Sequence, residues 1–244
     1  MNLLKITCFF VLLFIQFPCA THSEDDCLTS LFSYTGYLTT PSAYIKDGHL
    51  GFNYSYFPKD VAPYPKKGSD NKIYSLAMGF LPFIECYLSL FVTPQIEDTI
   101  VKDTHHNTRS AGIKMRIIKE RKWIPSTAIG IFDPDLKQLG LKQSANNISS
   151  TFIVFSKRLN YSDSSVSVGY GFEELTGEYT HLRGFFCGGS VNLRKNFSIL
   201  IDYDSELWSS GINTKWRGVN IGIALIEGNY IAYRAGYNFN LHNR

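Results

Sequence analysis

Ile231-Ala232-Tyr233-Arg234-Ala235-Gly236-Tyr237-Asn238-Phe239 is the stretch on which the fold turns. Ile231, Tyr233, Ala235, Tyr237 and Phe239 fall on one side of an extended chain, and Ala232, Arg234, Gly236 and Asn238 on the other. Side chains of a strand point alternately to its two faces, so this spacing describes a strand with two unlike faces. The pattern recurs along the chain. Leu50, Phe52, Tyr54 and Tyr56 alternate with Gly51, Asn53 and Ser55, and Tyr74, Leu76, Met78 and Phe80 alternate with Ser75, Ala77 and Gly79. Ile84, Cys86, Leu88, Leu90 and Val92 alternate with Glu85, Tyr87 and Ser89, and Ala111, Ile113, Met115 and Ile117 with Gly112, Lys114 and Arg116. Val166 to Phe172 and Val219 to Leu225 behave alike. Further strands are expected at Ser126–Phe132, Ser150–Arg158, His181–Leu193, Phe197–Asp204 and Phe32–Leu38.

The small face separates two architectures. A soluble sandwich also alternates, but its outer face carries Lys, Glu and Thr. Here that face is mostly Gly, Ser and Asn, which suits the packed or hydrated inside of a narrow barrel whose apolar face meets lipid. The expected fold is all-β, an antiparallel up-and-down transmembrane β-barrel of about 10–12 strands. A soluble, secreted β-sandwich that binds a ligand is the alternative. Connections support the barrel, with short ones at Gly79–Phe83, Lys119–Lys122, Arg194–Asn196 and Glu227–Asn229. Longer ones are read at Pro58–Asn71, Thr93–Thr108, Asp133–Asn147, Leu175–Thr180 and Ser205–Arg217. Short turns on the periplasmic side and long loops outside are the layout of outer-membrane barrels.

Composition agrees. Of 244 residues 44% are hydrophobic and only 18% charged, with 15 Tyr and 18 Phe. Aromatics of this kind favour half-buried strands and membrane interfaces. A net charge of +3 without a clustered basic face gives no case for nucleic acid. Lys5, the apolar run Ile6–Phe17 and the small or polar Cys19-Ala20-Thr21 have the layout of a secretory signal peptide. Residues 1–23 are therefore expected to be that leader, and 24–244 a single barrel domain. Neither Cys19, after Gln16-Phe17-Pro18, nor Cys27, after Glu24-Asp25-Asp26, follows the small residue that lipidation needs. Cys86 and Cys187 fall in predicted strands and read as small apolar packing residues.

Several segments, in order, resemble the YjbH family of exopolysaccharide-associated outer-membrane proteins. Gly36-Tyr37-Leu38-Thr39-Thr40-Pro41-Ser42-Ala43 resembles the family's Gly-x-x-x-Thr-Pro-x-Ala opening. Asp47–Ser55 resembles the strand that follows it, and Ser75–Glu85, with Pro82 and Glu85, a hairpin. Gly112–Glu120, with Lys114, and Ile124–Gly130 resemble the next pair, and Val168-Gly169-Tyr170-Gly171 a later strand. After Ile131 the chain reads Phe132-Asp133-Pro134-Asp135 where the family pattern is Gly-rich. The resemblance implies an outer-membrane location and a part in making, secreting or modifying a surface polysaccharide or capsule, with polysaccharide and periplasmic proteins as partners.

Glu85, Lys114, Arg116, Asp202, Asp204 and Arg234 are charges on the small face, so a barrel turns them into its lumen. An ion-pair network that rigidifies the interior is expected, because charges removed from water must be paired. A polar surface for sugar hydroxyls is the alternative. Asp103, His105 and His106 share a loop, but adjacent loop side chains give no metal geometry, and no metal or cofactor is expected. Trp208 and Trp216, with Tyr203, are read as the aromatic girdle of the membrane interface rather than a sugar platform. No Gly-x-Ser-x-Gly elbow is present, and His181 is the one histidine placed to approach a rim; a non-catalytic protein is expected, with an outer-membrane enzyme acting on lipid or glycan as the rival. The Asn-x-Ser triplets at Asn53, Asn147, Asn160 and Asn196 are discounted as glycosylation sites, since that at Asn53 lies in a predicted strand and that at Asn196 runs into one.

Overall fold

The computed structural model describes residues 28–63, 70–92, 107–132, 150–159, 164–172, 182–194 and 196–241. Its strands are β1 (His49–Phe57), β2 (Asn71–Leu81), β3 (Ile84–Val92), β4 (Asn107–Ile118), β5 (Ser126–Phe132) and β6 (Ser150–Leu159). They continue as β7 (Ser164–Gly171), β8 (Gly184–Arg194), β9 (Phe197–Tyr203), β10 (Trp208–Trp216), β11 (Val219–Ile226) and β12 (Tyr230–Asn240). Each strand pairs antiparallel with its sequence neighbours, and β1 closes the ring on β12 with His49 opposite Asn240 and Tyr56 opposite Tyr233. Closure removes every sheet edge, the one way a sheet can satisfy its backbone in a bilayer. A β-sandwich is therefore excluded.

Burial follows the sequence alternation. Phe52, Leu88, Ile113, Ile201, Ile223 and Tyr237 are exposed on the outer wall, whereas Ser55, Ser75, Ser126, Ser167 and Asn220 are buried on the inner one. A ring of outward aliphatic and aromatic side chains is what lipid solvates. Both Trp208 and Trp216 are outward and exposed, at opposite ends of β10, and the Tyr203 ring lies 5.0 Å from that of Trp208. Their placement at the two rims is that of an aromatic girdle.

Inner-face glycines have a specific use. Tyr87 lies directly opposite Gly112, Phe152 opposite Gly130 and Phe186 opposite Gly169. A Cβ on Gly112 would stand 2.0 Å from the Tyr87 ring, on Gly130 2.4 Å from Phe152, and on Gly169 2.1 Å from Phe186. Each ring thus lies flat across its partner strand, covering a backbone that carries no side chain of its own. These cross-strand lids let large aromatics fit inside a narrow barrel.

Two expectations fail. Ser205–Arg217 is not a long loop: it holds β10, entered by the short turn 204–207 and left by the two-residue turn Arg217-Gly218. Arg217 and Gly218 have φ of 48° and 88°, the left-handed pair that matches the twist of a tight hairpin. The strand was hidden because its outward face, Trp208, Ser210, Ile212, Thr214 and Trp216, carries polar residues between apolar ones. The extra strand moves Glu227–Asn229 to the barrel end that holds 58–70, 93–106, 133–149 and 172–183. The opposite end carries the connections 82–83, 119–125, 160–163, 195–196 and 217–218, and both ends of the barrel's chain. We call these the loop end and the turn end.

The second failure is Phe32–Leu38, which is no barrel strand. With β1 and β12 already paired, no edge is left to receive it. Instead every residue from Leu28 to Ile45 is buried. The segment folds back on itself through the bridges Thr29–Thr35 and Gly36–Pro41 and fills the barrel as a plug. Phe32 and Tyr34 enter an aromatic cluster with Phe57, Tyr87, Phe91 and Phe132, in which the Tyr87 and Phe132 rings stack at 5.5 Å.

Candidate functional site

The plug is held at three places by side chains of the inner wall. At the first, Glu85 of β3 and Lys114 of β4 face each other directly, with Lys114 Nζ 3.0 Å from Glu85 Oε2 and both side chains wholly buried. The pair is turned toward the plug backbone. Thr35 N donates to Glu85 Oε1 at 2.6 Å, and Lys114 Nζ donates to Thr35 O at 2.8 Å and Ser42 O at 3.0 Å. A buried ion pair is tolerated only when its remaining donors and acceptors are also satisfied, and the plug supplies those partners.

The second clamp is Asp202 of β9. Its Oδ2 accepts from three successive backbone amides, Leu38 N at 3.0 Å, Thr39 N at 2.7 Å and Thr40 N at 2.9 Å. The hydroxyls of Thr39 and Thr40 donate to the same carboxylate. Three consecutive N–H groups aimed at one oxygen form a nest for an anion, here filled by a side chain. The turn that aims them needs Gly36, because a Cβ there would meet Thr40 O at 2.2 Å. Tyr37 extends the contact, its hydroxyl 2.9 Å from Ser167 Oγ and 3.2 Å from Ser165 Oγ.

The third clamp lies at the turn end. Ala43 N donates to Ser156 Oγ at 2.7 Å, and Ser126 Oγ donates to Ala43 O at 3.1 Å. Tyr44 Oη donates to Glu120 Oε2 at 3.0 Å, and the Arg158 guanidinium lies 4.6 Å over the Tyr44 ring. Glu120 also accepts from Arg158 N at 2.9 Å and pairs with Lys157 Nζ at 3.4 Å. Burial and the Glu120 carboxylate hold the Tyr44 phenol well above its ordinary pKa.

The six charges singled out from the sequence thus separate. Glu85, Lys114 and Asp202 hold the plug. Arg116 stays with the β2–β3 turn, where its guanidinium donates to Pro82 O and its backbone N to Phe83 O at 2.8 Å. Asp204 sits at the loop-end mouth and caps its own turn, accepting from Leu207 N at 2.8 Å and Glu206 N at 3.1 Å. Burial pushes its carboxyl up to about 7, opposed by those two amide bonds and reinforced by Asp202 and Glu206. Arg234 reaches Asn213 Oδ1 at 2.6 Å. Among the described residues Glu85 and Lys114 form an ion pair, and backbone amides and carbonyls of the plug take most of the other partner positions of Glu85, Lys114 and Asp202. Sequence reading had no means of finding Ser126, Ser156, Glu120 or Tyr44, whose roles exist only once the plug is inside.

Of the remaining candidates, Asp103, His105, His106, His181, Asn147 and Asn160 lie outside the described residues, as do residues 1–23 and Cys27. Asn53 faces the barrel interior and is buried. Cys86 and Cys187 are free thiols on the wall. Among the described residues no group of His, Cys, Asp and Glu is placed to hold a metal ion.

The plug motif Gly36–Ala43, the Pro82–Glu85 turn and Lys114 are three of the segments that carry the family resemblance, and the structure brings them into one cluster. The family described as "Exopolysaccharide biosynthesis protein YbjH" (YjbH) matches residues 29–241. No curated protein matches the chain. Among solved structures, a "KdgM porin" matches with a TM-score of 0.47 and 11% identity over 79% of this chain and 99% of its own. A second, "KdgM porin in complex with disordered oligogalacturonate", matches with a TM-score of 0.47 and 12% identity over the same shares.

Proposed function

Since this chain belongs to the YjbH family of exopolysaccharide biosynthesis proteins, we propose that it is an outer-membrane barrel that serves an exopolysaccharide or capsule system as a non-catalytic component whose lumen is closed by its own N-terminal segment. The observation that carries the reading is the plug itself, buried from Leu28 to Ile45 and held by Glu85–Lys114, Asp202 and Ser156. A barrel packed in this way is a scaffold in the resting state, and polymer passes only if the plug is displaced. The turn end is assigned to the periplasm, as short turns imply. There Lys122 lies 5.5 Å over Trp123, an exposed cation–aromatic pair suited to docking acidic or sugar-bearing partners.

Two measurements test the proposal. Membrane fractionation with boiled and unboiled gels should give a detergent-requiring band whose mobility shifts on heating. Release by osmotic shock with no shift would defeat the outer-membrane assignment. Reconstituted in planar bilayers, the wild-type protein should be silent, while Asp202→Asn, which weakens the anion side of the nest, should show openings. A steady large conductance in the wild type would refute a closed scaffold and make the protein a conduit.

A further inference from the structure

One part of the interior is not used by the plug clamps. Ser55 of β1, Arg234 of β12, Gly222 of β11 and Asn213 of β10 lie in register as one inward row. Arg234 is 4% exposed, and its one hydrogen bond runs from Nη2 to Asn213 Oδ1. Its Nε has no acceptor. Because Asn213 gives its oxygen to the guanidinium, its Nδ2 is the amide atom left over, and it too has no acceptor. The Ser55 hydroxyl alongside is likewise unpartnered. Gly222 leaves room in the middle of the row, where a Cβ would press on Asn213 Oδ1 at 3.3 Å and touch Arg234 Nη2 at 3.5 Å.

A small cavity lies against this row, lined on the wall by Arg234, Asn213, Gly222 and Leu200 and on the plug side by Leu31, Tyr37 and Leu38. It has room for about one water-sized particle. The two unused N–H groups are donors, and the nearby charge is positive. Asp202 is committed to the amides and hydroxyls of residues 38–40, and Glu85 to Lys114 and Thr35. A buried guanidinium whose cavity holds further unused donors and, among the described lining residues, no carboxylate calls for an anionic acceptor.

We propose that this cavity binds a single small anion of the halide class, chloride in ordinary salt, which accepts from Arg234 Nε and Asn213 Nδ2. Bound there, the anion lies against Tyr37 and Leu38, so it braces the plug at the residues that lead into the Asp202 nest. The plugged state is then stabilised by chloride as well as by protein contacts.

The test uses the full-length barrel in detergent at constant ionic strength, with sodium chloride exchanged for sodium gluconate. The wild type should melt higher in chloride, by about 2–4 °C when chloride stands at roughly five times its Kd. Asn213→Asp places a fixed carboxylate beside Arg234 and removes the donor, so this variant should fold and lose the chloride response. Crystals soaked in sodium bromide should show an anomalous peak within hydrogen-bonding distance of Arg234 Nε. An equal response of wild type and Asn213→Asp would mark a general salt effect and overturn the proposal. So would the absence of any chloride response together with no bromide peak.

Discussion

Lys114→Met gives the sharpest test of the plugged barrel. Methionine keeps most of the side chain's length but removes the ammonium. Glu85 is then left wholly buried with its carboxylate facing no cation, and Thr35 O and Ser42 O lose a charged donor. Breaking a buried pair by removing one partner costs about 3–5 kcal/mol, because the surviving charge has been taken out of water. The two carbonyls add to that cost, though not additively, since one ammonium serves all three contacts. The unfolding equilibrium should move by roughly 10²–10⁴-fold, at 1.36 kcal/mol per tenfold. Urea unfolding of the purified barrel in lipid vesicles, followed by Trp fluorescence, measures the shift. Limited proteolysis within residues 28–45 then reports whether the plug has left the interior. The double variant Glu85→Gln, Lys114→Met removes both charges and retains an acceptor for Thr35 N, so it should recover a large part of the loss. If Lys114→Met lies within about 0.5 kcal/mol of wild type, as an exposed substitution does, the pair does not anchor a buried plug and the reasoning fails.

Three further outcomes are expected. Ile223→Arg puts a charge on the outward face of β11, 47% exposed in the isolated barrel. It should cost about 2–4 kcal/mol in bilayers by vesicle refolding, and a neutral result would show that this wall does not meet lipid. Gly130→Ala drives a Cβ into the Phe152 ring and should destabilise by about 1–3 kcal/mol, with Phe152→Leu in the same chain relieving the loss; strictly additive effects of the two changes would disprove the cross-strand lid. Asp204, held near 7 in the folded chain and 3.8 in the unfolded one, binds its proton more tightly when folded. Its contribution is complete below about pH 4 and is lost as pH rises through about 7, so stability should fall across that window. Asp204→Asn keeps an acceptor for Glu206 N and Leu207 N and should flatten that slope; an unchanged slope in equilibrium unfolding would assign it to another group.

The sequence by itself determined the barrel. Strand faces are set by a period of two residues, a local property, and stretches such as Leu50–Tyr56 and Val219–Leu225 show it without reference to anything distant. The inward direction of Glu85, Lys114, Asp202 and Arg234 follows from the same parity. Beyond parity the chain is silent. Phe32–Leu38 looks like a strand because nothing local says that β12 has already taken the only edge it might use, so its place inside the barrel is decided by closure. Ser205–Arg217 looks like a loop because Ser210 and Thr214 interrupt its apolar face, and it becomes β10 only through its ladders to β9 and β11. The tertiary structure alone sets which charge meets which partner. Lys114 finds Glu85 across one ladder, whereas Asp202 finds amides of residues 38–40 that are distant in sequence. A side chain's face is fixed by its neighbours along the chain, but its partner is fixed by how the whole ring closes around what it encloses.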